Sequence, residues 1–433
     1  MQEIPSGTTP GILPPNPIAP GLQSACNQPE HQWIRGNKNY ICPFMCGTQG
    51  KTTRKHGQHF TVVALWLLLS VAGTEAVNGQ PQPRWSGTGI EVNMRMGKVL
   101  KHTNKFLAPI PELTTAYEVN VMQQTYGKRE WHQRRKYPRV GVGMTYTNYG
   151  IDSIYGRCVS IYPNVELSLV KGERLEWTLR MGFGAGYVTR HYERVPVWDT
   201  LNNAIGGHLN NYTMFATDLR YKIDEHWALQ IGANFSHISN AGYRQPNKGI
   251  NTYGGHVGFR YYPVTSEPER IMRKLKPLSN RWLLQARLGL SYNESAFTDG
   301  PLYPIYLASV YGSKRWRSKN KMFAGVDYSY HKDIEAFQKN NEINEGEERE
   351  NSWKSAVFVG NEFVFGRVGI MLQVGVYLKE ATLRLDPYYQ KLGCNLYIVQ
   401  QERGPVKEMF LSVLLKTHKT QAELAELGVG IGL

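Results

Sequence analysis

The segment Leu175-Glu-Trp177-Thr-Leu179-Arg-Met181-Gly-Phe183-Gly-Ala185-Gly-Tyr187 decides the fold class. Its odd positions are Leu, Trp, Leu, Met, Phe, Ala and Tyr, and its even positions are Glu, Thr, Arg and Gly. Residues two apart share one face of a strand, so this is a strand with one apolar and one polar face. The same alternation runs through Trp227–Phe235, Trp282–Leu290 and Val368–Val376. A soluble sandwich alternates too, but three features favour a membrane barrel. The alternating runs approach the roughly 9–11 residues that a tilted strand needs to cross a bilayer. Their polar face carries Gly, Gln, Arg and Glu, as a wet lumen does. Trp, Tyr and Phe gather at strand ends, where a membrane interface would lie. The expected fold is all-β, a transmembrane antiparallel β-barrel of about 16 strands, with 12 and 14 also open because bacterial barrels take even numbers.

Composition agrees with this reading. The chain has 433 residues, 43 of them Gly, with 26 Tyr against 14 Phe. A mean hydropathy of −0.43 argues against a helical membrane protein. It does not exclude a barrel, whose alternating faces average out. The net charge of +15 invites a nucleic-acid reading. No zinc-finger spacing, helix-turn-helix pattern or RNP-like motif accompanies it, so no nucleic-acid partner is expected. The five Cys include no CxxC pair, and no metal site is expected.

The N-terminal part reads as an address. Residues 1–44 are a Pro-, Gly-, Asn- and Gln-rich extension, either genuine or a gene start placed too early, since Met45 follows. Residues 45–76 read as a signal peptide: basic residues Lys51, Arg54 and Lys55, an apolar run Phe60–Ala72, then small residues to Ala76. That run is too short for a membrane-spanning helix, which needs about 20 residues. Export combined with barrel strands points to the bacterial outer membrane. The barrel would occupy 77–433. Residues 1–76 hold five basic and three acidic residues, so the exported chain carries +13 and keeps only Cys158 and Cys394, which an oxidising compartment would allow to pair.

Loop lengths give orientation. With a periplasmic N-terminus, connections after even strands are short, as at Lys171–Arg174, Lys222–His226 and Gly366–Arg367. The long stretches 189–208 and 334–351 fall outside. Two stretches break the rule, 127–138 and 264–279, both long and basic on the inner side. They imply a miscounted strand or an amphipathic helix near Arg270–Leu275. Inward residues Glu166, Arg180, Asp218, Arg220, Arg260 and Arg287 either form a salt-bridged plug or line a pore.

The chemistry lies at Phe235-Ser-His237-Ile-Ser239-Asn240-Ala-Gly242, continuing through Pro246-Asn247-Lys-Gly249-Ile-Asn251. By alternation His237 and Ser239 share the apolar, lipid-side face of Trp227, Leu229 and Ile231. Polar side chains on such a face are costly and ask for a function. A hydroxyl beside an imidazole supplies a nucleophile and its base, and Asn side chains can stabilise an oxyanion. The blander reading is an interfacial His and Ser hydrogen-bonded to the following loop.

This stretch is similar to the signature of the outer-membrane lipid A 3-O-deacylases of the PagL type. The strand pattern over 88–263 resembles their whole eight-stranded barrel. The resemblance implies an esterase that removes the 3-linked acyl chain of lipid A in lipopolysaccharide, at the membrane, without cofactor or metal. It implies Ser239 as nucleophile, His237 as base, and Asn240 and Asn247 as oxyanion donors. Where the family has a Glu fourteen positions after the His, this chain has Asn251. Asn orients an imidazole but lacks the charge that stabilises imidazolium. Residues 264–433 have no counterpart in short family members, and longer relatives carry the same loop. The rival reading is a non-enzymatic, porin-like or structural barrel that retains a degenerate loop.

Overall fold

The computed structural model describes residue 83 and residues 85–433, except 194–200, 276, 295–299, 317–318, 383–385 and 420. The expected extension at 1–44 and signal peptide at 45–76 lie outside the described residues.

The first eight strands are β1 (Thr88–Val99), β2 (Thr114–Gln124), β3 (Arg139–Asn148), β4 (Arg157–Lys171), β5 (Leu175–Val188), β6 (Leu209–Lys222), β7 (Trp227–Ser239) and β8 (Ile250–Tyr261). The next eight are β9 (Trp282–Glu294), β10 (Leu302–Trp316), β11 (Asn320–His331), β12 (Trp353–Phe365), β13 (Val368–Lys379), β14 (Tyr388–Gln400), β15 (Glu408–His418) and β16 (Gln421–Gly432). Each strand pairs antiparallel with its neighbour. β8 pairs back onto β1, from Ile90↔Tyr261 to Val99↔Thr252. β16 pairs onto β9, from Leu427↔Leu290 to Gly432↔Gln285. The sixteen strands are borne out, divided between two closed barrels of eight. Alternation reports which face a residue takes; it carries no information about which strand edges meet, so the division is not visible in it.

Both barrels are charged inside and apolar outside. On the outer face Val92, Trp177, Leu288 and Val359 are exposed. Inside the first barrel Glu91, Glu118, Glu166, Arg180 and Arg260 are fully buried. Arg180 reaches across the lumen from β5 to Glu91 on β1 (2.7 Å) and to Glu118 on β2 (2.9 Å). Arg220 and Arg260 both hold Glu166 at 2.9 Å, and Asp218 pairs with His256 at 2.6 Å. In the second barrel Lys391 lies between Asp327 and Glu426, 2.9 Å from each, and Arg287 holds Glu426 at 3.0 Å. An interior this narrow is filled by side chains, whereas rings of about 16 strands leave a channel. Of the two options for the inward charges, the plug is the one formed. Cys158 sits in β4 and Cys394 in β14, one in each barrel and both free, so they do not pair.

The two stretches that broke the loop-length rule join the barrels. The first holds a short helix, α1 (Glu130–Arg134). The second is irregular throughout its described residues, with no helix at Arg270–Leu275, which corrects that expectation. Its chain pairs with the first stretch instead. Ile271 N–H donates to Tyr126 O (2.7 Å), and the Gln133 side chain bonds both backbone groups of Arg273 at 3.0 Å. Arg135 then crosses to the second barrel, donating to Val364 O (3.1 Å) and Lys319 O, with its guanidinium 4.5 Å from the Phe365 ring centre. Burial, with Arg129 beside it, lowers the His132 imidazole to about 4. The ring is therefore neutral at neutral pH, and its Nδ1 accepts from Gly127 N–H at 3.3 Å.

Filled lumens predict poor conduction. In planar bilayers the purified full chain should show no porin-sized steps, and sustained large-conductance openings would contradict the plugged interior.

Candidate active site

Chain geometry brings the site together at the loop end of the first barrel. On β7 the odd residues face outward, and the exposure of Trp227, Leu229 and Ile231 gives way to a half-buried His237 and a Ser239 that is 1% exposed. On β8 Asn251 lies directly opposite His237 in the ladder. On the other side Thr213 of β6 is opposite His237, and Asn211 is opposite Ser239. Five neighbouring polar positions on three strands thus break a mostly apolar outer face at one place.

His237 Nε2 lies 2.8 Å from Ser239 Oγ, and His237 Nδ1 lies 2.6 Å from Asn251 Oδ1. An amide oxygen has no proton to give, so Nδ1–H donates to it. Nε2 then keeps its lone pair toward the serine hydroxyl, which is the tautomer a general base requires.

The loop 240–249 covers Ser239 and supplies the two asparagines. Asn240 Oδ1 accepts from Gly242 N–H (3.1 Å) and Arg244 N–H (3.2 Å). Asn247 Oδ1 accepts from Asn240 N–H at 3.1 Å. Each carboxamide is therefore fixed through its oxygen, and its amino group is left over. Both Nδ2 atoms are buried and have no hydrogen-bond partner among the described residues. Buried donors without partners are rare and ask for a reason. An acceptor brought by a ligand, such as an oxyanion, would satisfy them.

Several supports were missed in the sequence. Ile238 and Ile250 alternate with the site residues and point inward. There they join Phe106, Tyr155, Val188 and Ile205 in an apolar cap on the lumen. That cap fixes the strand ends from behind. Gly249 has a φ of +75°, and a Cβ there would lie 2.7 Å from His237 Cε1, so only glycine lets the loop close over the imidazole. Its N–H donates to Ala204 O (2.8 Å), and His102 Nε2 donates to Lys248 O (2.9 Å). These partners come from loops far away in sequence, and no local pattern announces them. Among the described residues, no group of three or more His, Cys, Asp or Glu is placed to hold a metal ion. A cavity of about 1000 Å³ opens elsewhere, at the turn end of the second barrel. Lys128, Arg273 and Arg315 line it, so basic residues from three separate segments of the chain meet there.

Comparison with known proteins divides the chain in the same way. Residues 115–260 match the family model for lipid A 3-O-deacylase (PagL), and residues 280–433 match the one for the acyloxyacyl hydrolase C-terminal domain. No curated protein matches. Among solved structures, the outer-membrane enzyme PagL aligns over 40% of this chain and 99% of its own, at 18% identity and a TM-score of 0.27. Neisserial surface protein A aligns over 41% and 97%, at 11% identity and a TM-score of 0.27. A mutant of the Rh. blastica porin aligns over 80% and 99%, at 11% identity and a TM-score of 0.19.

Gly249→Ala should push the His237 ring away from Ser239 and lower the reactivity of Ser239 toward a fluorophosphonate probe. The barrel should persist, read as unchanged heat-modifiable migration on gels. Undiminished labelling would refute the packing argument.

Proposed function

We propose, on the premise that the first barrel belongs to the lipid A 3-O-deacylase (PagL) family and the second to the acyloxyacyl hydrolase C-terminal domain family, that this chain is an outer-membrane lipid A deacylase. The single observation that carries this reading is the hydrogen-bonded run Ser239–His237–Asn251 on the lipid side of the first barrel, beside two partnerless amide donors. Lipid A is an acylated glycolipid of the outer membrane, and its ester would approach this site along the apolar face of β7.

In the proposed reaction Ser239 Oγ attacks the ester carbonyl carbon while its proton passes to His237 Nε2. The carbonyl oxygen takes the negative charge and accepts from Asn240 Nδ2 and Asn247 Nδ2, a type of stabilisation worth about 10²–10³ in rate per donor. The intermediate collapses, breaking the bond to the sugar oxygen, and His237 returns its proton to that leaving alkoxide. A water molecule, deprotonated by His237, then attacks the acyl-serine; the bond to Ser239 Oγ breaks, His237 returns the proton to that oxygen, and the fatty acid is released. Asn251 holds Nδ1–H throughout and fixes the ring, but brings no charge to the imidazolium that forms. No observation favours the rival porin-like reading, since the inward charges of both barrels are paired across the lumen.

Mass spectrometry of lipid A decides the matter. In a host lacking this activity, expression of the chain should remove one ester-linked acyl chain, and Ser239→Ala should abolish that removal. No loss with the wild type, or loss unaffected by Ser239→Ala, overturns the reading. Restoring a carboxylate, Asn251→Glu, should raise kcat by about tenfold or more. Replacing the acid of a Ser–His–acid triad by its amide can cost about 10⁴. A slower Asn251→Glu enzyme would mean that the pocket has been built around a neutral orienter.

A further inference from the structure

We propose that Glu294, the last residue of β9 in the second barrel, is a positioning residue for the oxyanion pocket of the first. The inference builds on the deacylase reading above and adds what the second barrel does for that site.

Glu294 is 5% exposed and spends both carboxylate oxygens on one loop of the other barrel. Oε1 accepts from Arg244 Nη1 at 2.6 Å, and Oε2 accepts from Gln245 N–H at 2.6 Å. Charge-assisted bonds of this kind are short and roughly twice as strong as neutral ones. The segment they grip is the one that aims Asn240. Arg244 N–H and Gly242 N–H are the two donors that fix Asn240 Oδ1 and so leave its Nδ2 directed at the pocket.

The same loop also rests on the second barrel by shape. Gly242 has a φ of +83°, and a Cβ there would meet Glu423 O of β16 at 2.8 Å. On the loop's other side, a Cβ at Gly206 of the first barrel would meet the Gln245 carbonyl carbon at 2.7 Å. Residues 242–245 are thus clamped between two close backbone approaches and anchored by one carboxylate. A single barrel would leave that side of the loop open. Glu294 touches neither the nucleophile nor the base, and acts through Arg244 and Gln245.

A displacement of about 1 Å in a catalytic donor can cost about 10² in rate. Glu294→Ala in the full chain should therefore lower kcat for lipid A by about 10- to 100-fold. KM should stay within about twofold, because the groups lost are aimed at the transition state rather than the bound ester. Glu294→Gln keeps an acceptor for Gln245 N–H and should restore most of the rate. Hydrogen exchange read by mass spectrometry should speed up in peptides covering 240–247 for Glu294→Ala, but not for Glu294→Gln.

Arg135→Ala is the control, since it removes hydrogen bonds between the barrels at the opposite end and touches nothing in the site. It should leave kcat unchanged. Wild-type kcat and exchange in Glu294→Ala would overturn the proposal, as would an equal loss of kcat in Arg135→Ala, which would mean that the second barrel acts by general stability. If wild type and Ser239→Ala are alike inactive on lipid A, it is the deacylase reading that fails. Exchange over 240–247 then decides by itself whether Glu294 holds the loop: faster exchange in Glu294→Ala supports it, and unchanged exchange overturns it.

Discussion

The seam between β1 and β8 is the constraint on which the rest of this structure depends. Ten residues, Ile90–Val99, pair with β8 from Tyr261 back to Thr252, and this closes the first ring at eight strands. In hydrocarbon each unpaired backbone group costs several kcal/mol, so a strand edge there must find a partner. Had β8 paired with β9, one wide ring would have formed, with room for water. A ring of eight has an interior only wide enough for side chains, so every inward charge must meet its opposite. That is why Glu91 is shared among Arg180, Arg220 and Arg260. Networks of this kind are weak evidence for stability, because desolvation offsets much of the attraction. Their consequence here is geometric: they fill the bore, and leave the outer face and the rim as the surfaces on which chemistry can occur.

Two closed rings in one chain also need a joint that does not open either ring. The chain leaves β8 at the turn end, runs through 262–281, and enters β9. Its long basic stretch is anchored along the loop that carries α1, and Arg135 from that loop caps carbonyl groups at the turns of the second barrel. At the opposite end Glu294 grips the 240–249 loop. The barrels are thus bonded at both ends, and the loop-end bond falls on the segment that aims Asn240.

Strands were legible in the sequence because alternation is local. Each face of Leu175–Tyr187 is determined by its own two-residue period, and lipid outside a plugged lumen enforces the contrast between faces. The shared face of His237, Ser239 and Asn251 was legible for the same reason, since parity along β7 and β8 sets it, and their register puts His237 opposite Asn251. Closure was not legible from alternation, because β1 and β8 are far apart in sequence and their pairing leaves no local trace. The supports of the site were hidden likewise. Ile238 and Ile250 look like ordinary strand residues until Phe106 and Ala108 on one side, and Ala204 and Ile205 on the other, fold over the lumen to meet them. Glu294 looks like the end of a strand, and it acquires a role only when the second barrel is set beside the first.

Asn251 is the point at which local pattern and chemistry pull apart. A carboxylate opposite His237 would fix one tautomer, because it can only accept, and would stabilise the imidazolium. An amide fixes the ring less completely. With its oxygen toward Nδ1, as here, Nε2 is free to receive the serine proton. With its amino group toward Nδ1, Nε2 would carry the proton and Ser239 could only accept it. Two tautomers of similar energy would reduce the competent population by no more than about half, a small effect beside the roughly 10⁴ that an absent carboxylate can cost. In the proposed reaction the larger deficit would therefore be electrostatic, arising only as charge develops on the ring. The gain on the other side is that a neutral amide in this half-buried site, at the edge of the hydrocarbon, bears no ionic desolvation cost. The site thus keeps the geometry of a Ser–His–acid triad and gives up its charge. In the reaction proposed above, the two amide donors, and whatever holds them in place, would then carry a larger share of the stabilisation of the transition state.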